Sequence, residues 1–315
     1  MTETYVVTGG AGFIGSHLAE RLLKDGHHVR VIDNLLTGKQ EHLDYLESLG
    51  GDYTFFPVSI TDLDALHPIF KGADYVLHEA ALPSVPRSVA NPLETHEHTV
   101  TGMLNVLIAA RDAGVKRVVC AASSSVYGDQ EGEFKVETMN PRPISPYGAA
   151  KLAAEYYAQV FTSTYGLETV NLRYFNVFGA RQDPQSEYAA VIPKFITIML
   201  QGKAPVIYGD GLQSRDFTYI DNVAQGNLLA LRAPDAPGET MNLATGGRIS
   251  LLELVATLNR LLGTSFEPIH ADERPGDIKH SCAGVEKARD LLDFSPMIDF
   301  ETGLARTVDY YRTRI

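Results

Sequence analysis

Short apolar runs alternate along the first half of the chain with longer segments whose apolar residues recur at helical spacing. Residues 5–8, 29–32, 53–58, 75–78, 117–121 and 168–173 read as strands. A helix is predicted over 13–24, where Phe13, Ile14, Leu18, Leu22 and Leu23 fall on one face. Further helical patterns cover 61–71, 98–113 and 147–165. Strands alternating with helices predict βαβ units and a parallel sheet. Runs such as VVT and RVVCAA are almost continuously apolar, as expected when helices cover both faces. After about residue 175, Gly and Pro become frequent and helical patterns persist at 189–201, 221–232, 250–262 and 301–312. The fold class expected is α/β: a doubly wound parallel sheet (1–174) with a smaller C-terminal α/β lobe (175–315). Part of 215–245 is expected to pack back on the first lobe. No repeat or free linker separates the two, and the cleft between them is the expected ligand site.

Composition narrows the class without naming a ligand. The chain has 315 residues, 44% apolar and 21% charged, which suits a soluble globular protein with a substantial core. Its net charge of −12 argues against a broad nucleic-acid or anionic-membrane surface. Cys120 and Cys282 are too few for a metal cluster and are expected to be reduced thiols. The ten His residues show no metal-ligand spacing, and no apolar run approaches a membrane span. The chain starts directly on a strand with no basic leader, so a cytoplasmic protein is expected. The acidic balance becomes a puzzle once phosphate-binding signals appear.

The first such signal is VVTGGAGFIGSHL. Gly9, Gly12 and Gly15 stand between the first strand and the first helix, with Phe13 and Ile14 among them. Such a loop lets backbone N–H groups and the helix dipole meet a pyrophosphate. Asp33 ends the second strand, where an acid hydrogen-bonds adenosine ribose hydroxyls. Asn34 and Leu35 follow it rather than Arg, which favours NAD over NADP. Next, PYGAAK sets Tyr147 and Lys151 one turn apart on a helix. A nearby ammonium stabilises phenolate, so this pair makes a general base for a hydroxyl. Ser123, Ser124 and Ser125 precede VYG at a strand's carboxyl end, where side chains reach the crevice.

TGGAGFIG, Asp33, the Ser run before VYG, YGAAK and YFNVFG together resemble the extended short-chain dehydrogenase/reductase family acting on nucleotide sugars. The resemblance spans nearly the whole chain and implies a Rossmann domain at 1–174, a nucleotide-sugar lobe at 175–315 and tightly held NAD. It implies Tyr147 as base, Lys151 as helper that also holds the nicotinamide ribose, and Ser123 as hydroxyl donor. Around the cofactor it implies Asn34, Thr37, Gly38, Ile60, Ala80 and Ala81. Relatives usually carry Asp-Ile after the third strand, where this chain has Ser59-Ile60, so an altered adenine contact is expected.

The resemblance also narrows the reaction. Dehydratases of the family place Asp-Glu where this chain has Ser124-Ser125, and neither Ser supplies acid/base power near neutral pH. Oxidation and re-reduction at C4 remain, giving 4-epimerisation with no net redox change. For the nucleotide, the resemblance implies Arg215 and Arg274 as phosphate clamps, Asn176 at the diphosphate, and Val191, Val206, Tyr208 and Asp277 around a uridine. HEAALPSVPRSVANP and RQDPQSEYAAVIPKF look especially like bacterial UDP-N-acetylglucosamine 4-epimerases, with Ser84, Arg87 and Ser88 on the sugar side. Ser281 stands where a bulky residue would exclude N-acetyl groups, so UDP-GlcNAc/UDP-GalNAc is the expected pair, with UDP-Glc/UDP-Gal beside it. Alternatives are a UDP-glucuronate 4-epimerase, with Arg87 facing the carboxylate, or a non-catalytic NAD sensor. A homodimer through the 98–113 and 147–165 helices is implied by the relatives.

Overall fold

A computed structural model describes residues 2–130, 132–184, 190–273 and 279–314. Its centre is a seven-stranded sheet. The strands β1 (Thr4–Thr8), β2 (His28–Ile32), β3 (Tyr53–Phe56), β4 (Tyr75–His78), β5 (Arg117–Ser123) and β6 (Glu168–Tyr174) are joined by Thr240–Leu243. Their spatial order is β3-β2-β1-β4-β5-β6 and then Thr240–Leu243. Every neighbouring pair is parallel. The order reverses between β1 and β4, and their carboxyl ends open a crevice there.

The connecting helices cover both faces, which is why the strands are apolar on both sides. They are α1 (Phe13–Lys24), α2 (Gln40–Ser48), α3 (Leu63–Phe70), α4 (Val85–Ala90), α5 (Pro92–His96), α6 (Gly102–Asp112) and α7 (Pro146–Tyr165). Leu18 and Leu22 of α1 join Val7, Val31 and Val119 in one core cluster. Met103, Val106 and Leu107 of α6 join Val6, Val76 and Val118 in the cluster on the opposite face. The 13–24 helix and the 75–78 strand fall where the sequence pattern places them. The pattern did not expose α2, α4 and α5, which are short or only weakly periodic.

The C-terminal part contributes α8 (Val191–Leu200), α9 (Ile220–Ala230), α10 (Leu251–Leu262), α11 (Glu286–Leu292) and α12 (Phe300–Arg312). Two short antiparallel and parallel ladders hold Arg215 between Ile249 and Ser281. The two parts share one core rather than meeting across a linker, since Ile192, Phe195, Leu254 and Leu304 belong to the cluster that includes β1 and α1. A buried polar network binds β5, β6, α7 and the edge strand together. Arg173 makes a bidentate pair with Glu155, at 2.7 and 3.0 Å, and lies over the Tyr127 ring. The Tyr127 hydroxyl donates to Asn242 at 2.6 Å. This network holds α7 against the sheet, and α7 carries the Tyr–Lys pair.

Candidate active site

The loop after β1 is shaped by close backbone contacts. Gly9 has φ +68°, and a Cβ there would stand 2.7 Å from the Ala80 nitrogen. A Cβ on Gly15 would stand 2.2 Å from the Gly9 carbonyl oxygen. Only glycines let the turn close this tightly. Gly12 then caps α1 with no side-chain hydrogen bond, leaving the first N–H groups of the helix available to an anion. Asp33 lies at the end of β2. Its carboxylate accepts from the Ala11 and Leu35 N–H groups, at 3.0 and 2.8 Å. Burial raises its pKa and those two hydrogen bonds oppose the shift.

A cleft of about 1010 Å³ opens over the carboxyl ends of the strands. It is lined by Gly9, Gly12, Phe13, Ile14 and Gly15 from the loop, and by Asp33, Asn34 and Thr37 beside β2. Ile60, Ala80, Ala81, Ser84, Arg87, Ser123, Ser124, Tyr147, Lys151 and Asn176 complete the expected set on its walls. An anion-binding helix terminus, an acid beside it and space beyond both fit a dinucleotide.

Two expected cofactor residues stand off the cleft. Gly38 packs against the Asp33 carboxylate. Ser59 turns its hydroxyl to Thr61, at 2.8 Å, and Asp62 caps α3. Neither replaces an Asp facing the cleft.

Ser145 caps α7 by accepting from the Gly148 N–H at 3.1 Å, and Pro146 starts the helix. This fixes where Tyr147 and Lys151 emerge. The Lys151 ammonium is buried and donates to the Ala121 carbonyl at 2.8 Å, so it is anchored at the end of β5. The serines divide their labour. Ser123 and Ser124 line the cleft, whereas Ser125 does not. The Ser125 hydroxyl donates to Ser123 Oγ at 2.9 Å, and its N–H does so at 3.2 Å. With two donors on its oxygen, Ser123 is left to donate its own proton.

On the wall expected to face a sugar, Ser84 caps α4 through the Arg87 N–H. Arg87 reaches the cleft wall but is held by Glu94 through two hydrogen bonds, at 2.7 and 3.1 Å. Ser88 is fully buried and donates to the Val85 carbonyl, so it does not line the cleft.

A second cavity of about 300 Å³ adjoins the first at Asn176 and Val177. Val191, Val206, Tyr208 and Arg215 line it, together with Phe195 and Phe217. Asn176 has φ +35° and forms the corner between the two cavities. The Arg215 guanidinium donates to the Ser214 and Lys279 carbonyls, at 2.9 and 3.3 Å, and Asp216 follows it in the chain. The buried Asp216 carboxylate accepts from Thr245 Oγ1 and N and from the Gly246 N–H, at 2.7 to 3.1 Å. Ser281 pairs with Arg215 in register but lines neither cavity. Arg274 and Asp277 lie outside the described residues.

The cleft wall also carries residues that the motifs did not flag, among them Glu79, Tyr174, Arg181 and the Lys39–Asp183 ion pair at 2.9 Å. Glu79 and Tyr174 end or follow parallel strands, the same signal that exposes Ser123. His78 faces inward instead, with Nδ1 2.7 Å from Thr8 Oγ1.

Comparison with known proteins places this geometry. The model of the NAD dependent epimerase/dehydratase family matches residues 5–244. The chain belongs to this family. A structure of UDP-N-acetylglucosamine 4-epimerase from Methanobrevibacter ruminantium M1, in complex with UDP-N-acetylmuramic acid, is 42% identical. It superposes with a TM-score of 0.95 over 100% of both chains. A putative UDP-glucose 4-epimerase of Methanocaldococcus jannaschii is 36% identical over 98% of each chain. A UDP-glucuronate 4-epimerase of Thermodesulfobacterium geofontis is 36% identical over 99% of this chain and 97% of its own. This family member is an enzyme, and NAD is its cofactor. Among the described residues no helix is long and apolar enough to cross a membrane.

Proposed function

We propose that this enzyme inverts C4 of a UDP-hexose, with UDP-GlcNAc/UDP-GalNAc as its principal pair and UDP-Glc/UDP-Gal as a second. The observation that carries the reaction type is the wall around Ser123. Ser123, Tyr147 and Lys151 share one cleft, while Ser124 and Ser125 fill the places where a dehydrating site needs carboxyl groups.

NAD held at Gly12 and Asp33 would supply the acceptor for hydride from C4 and the donor for its return to the opposite face of the sugar. The protein does the rest. Tyr147 removes the C4 hydroxyl proton and later gives it back. Lys151, fixed on the Ala121 carbonyl, stabilises the phenolate. Ser123, oriented by Ser125, donates to the sugar O4. The helix terminus at Gly12 holds the cofactor pyrophosphate, and Asp33 takes the adenosine ribose. In the smaller cavity Arg215 and Asn176 hold the sugar diphosphate, with Val191, Val206 and Tyr208 around the uracil. Arg274 and Asp277 are assigned to the same half by motif position alone.

The N-acetyl preference is supported by the 42% identity to the N-acetylglucosamine epimerase and by the HEAALPSVPRSVANP segment. A glucuronate substrate is disfavoured because Arg87 already pairs with Glu94. We assign 1–174 to cofactor binding and 175–315 to the nucleotide sugar, with Thr240–Leu243 returning to the first sheet. We also propose a cytoplasmic homodimer built on α6 and α7. Incubation with each UDP-sugar, followed by proton NMR of the anomeric signals, tests the substrate reading. No conversion of the N-acetyl pair rejects it.

A further inference from the structure

The floor of the large cleft holds a carboxyl group that the reaction above leaves idle. Glu79 follows β4 immediately. His78 pairs with Cys120, which sets Glu79 across from Ala121, the residue whose carbonyl anchors Lys151. Glu79 Oε1 accepts from the Tyr174 hydroxyl at 2.8 Å. That hydroxyl is itself held by Asn227 Nδ2 at 2.9 Å. A strand end, a tyrosine from β6 and an amide from α9 therefore fix the carboxyl group inside the cleft wall beside Ser123 and Tyr147.

This end of the cleft receives the redox half of the cofactor. The glycine loop at β1 and Asp33 at β2 take the pyrophosphate and adenosine half, which leaves the ends of β4, β5 and β6 for the nicotinamide. The oxidised ring is a cation and the reduced ring is neutral. We propose that the Glu79 carboxylate, held by Tyr174 and Asn227, biases the bound cofactor toward its oxidised form and so favours return of hydride to the sugar. The electron balance is internal: hydride leaves C4, the proton leaves the O4 hydroxyl, a C4 carbonyl forms, and both return. Burial pushes the Glu79 carboxyl up to about 7, with the Tyr174 hydrogen bond and the Lys151 ammonium opposing the shift, so its charge is sensitive near neutrality.

The inference rests on the cofactor site and not on which sugar is used. Its test is the ratio of the NADH and NAD dissociation constants, measured by titration calorimetry on enzyme freed of cofactor and reloaded. In Glu79→Gln the ratio should move toward NADH by roughly tenfold. For a two-electron couple that is about 30 mV. An unchanged ratio overturns the inference. Failure of the wild type to bind either form would instead overturn the cofactor site itself. Should Glu79→Gln not fold, the ratio is measured with Glu79 intact, in the Tyr147→Phe background, between about pH 5.5 and 8.5.

The titratable groups facing Glu79 are Tyr174 from β6, Lys151 from α7 and Cys120 from β5, while His78, next to it in the chain, turns to Thr8. Burial holds His78 near 3 and Cys120 at about 12, and it raises Tyr174 well above its ordinary value, so these three stay silent in that window. The preference for NAD should weaken as pH falls through about 7, and a flat profile overturns the inference.

Discussion

Two inward-facing imidazoles make the folded chain sensitive to acid. Burial, reinforced by the Arg181 charge for His17 and by Lys151 for His78, lowers both to about 3. In the unfolded chain they titrate near 6.5, so the unfolded state binds more protons below that pH. Stability is therefore lost as pH falls from about 6.5 toward 3, by roughly 2 kcal/mol for each group at pH 5. Glu79 acts in the opposite sense, because its raised carboxyl is protonated in the folded chain before the unfolded one, and it offsets part of that loss. His78→Asn should lose less Tm than the wild type between about pH 7.5 and 5 in thermal scans; an equal loss contradicts the assignment. For the reaction, Tyr147→Phe should lower kcat by about 10²- to 10⁴-fold while NAD still binds, by kinetics and calorimetry on the same sample. Tyr147, Lys151, Ser123 and Asp33 were legible because their signals are local: one helical turn, or the end of a strand. The Ser125–Ser123 hydrogen bond and the Glu79–Tyr174 contact were not, because each depends on where side chains point after folding.

Among the elements, the phosphate loop and α7 bear most directly on activity. Gly15→Ala puts a methyl group 2.2 Å from the Gly9 carbonyl, and backbone cannot yield as a side chain would. The expected cost is about 1–3 kcal/mol in stability with a large loss of NAD affinity, seen by denaturant titration and calorimetry. Normal affinity would mean that the loop does not carry the pyrophosphate. The Arg173–Glu155 pair under α7 offers a second test. Arg173→Met strands a buried carboxylate and should cost about 3–5 kcal/mol, whereas Arg173→Met with Glu155→Met should recover most of it. Additive losses would show that the two side chains are not energetically coupled and would contradict this reading. The longer helices were readable from the apolar residues spread over several turns. α4, α5 and α11 were not, because so few turns carry too little periodicity to register.

Across the whole molecule, the net charge of −12 does not conflict with the proposed pair of ligands, each carrying one pyrophosphate. In the proposed site the cofactor phosphates are assigned to the uncapped N–H groups at Gly12 and the sugar diphosphate to the cavity lined by Arg215, so positive groups stand locally where the phosphates are placed. Of the two helices proposed for the dimer, α7 carries the exposed apolar residues Tyr156, Tyr157, Val160 and Tyr165, with Tyr156 53% accessible, while α6 is largely buried; α5 adds Leu93, 81% accessible. Such a cluster suits a second copy of the chain. Sedimentation should show a dimer that Tyr156→Glu with Val160→Glu converts to monomer; a monomeric parent removes the proposed interface. The doubly wound topology was legible from alternating patterns, as was the return of part of 215–245 to the first lobe, but the entry of α8, α10 and α12 into the main core was not, because the short strands around them do not announce themselves. The central claim is reversible oxidation at C4 of a UDP-sugar, and one measurement reaches it most directly. UDP-GlcNAc incubated with the NAD-loaded enzyme should approach a stable mixture with UDP-GalNAc by NMR, with no net rise in absorbance at about 340 nm. An unchanged sugar, a product that has lost water, or stoichiometric accumulation of NADH would contradict the account.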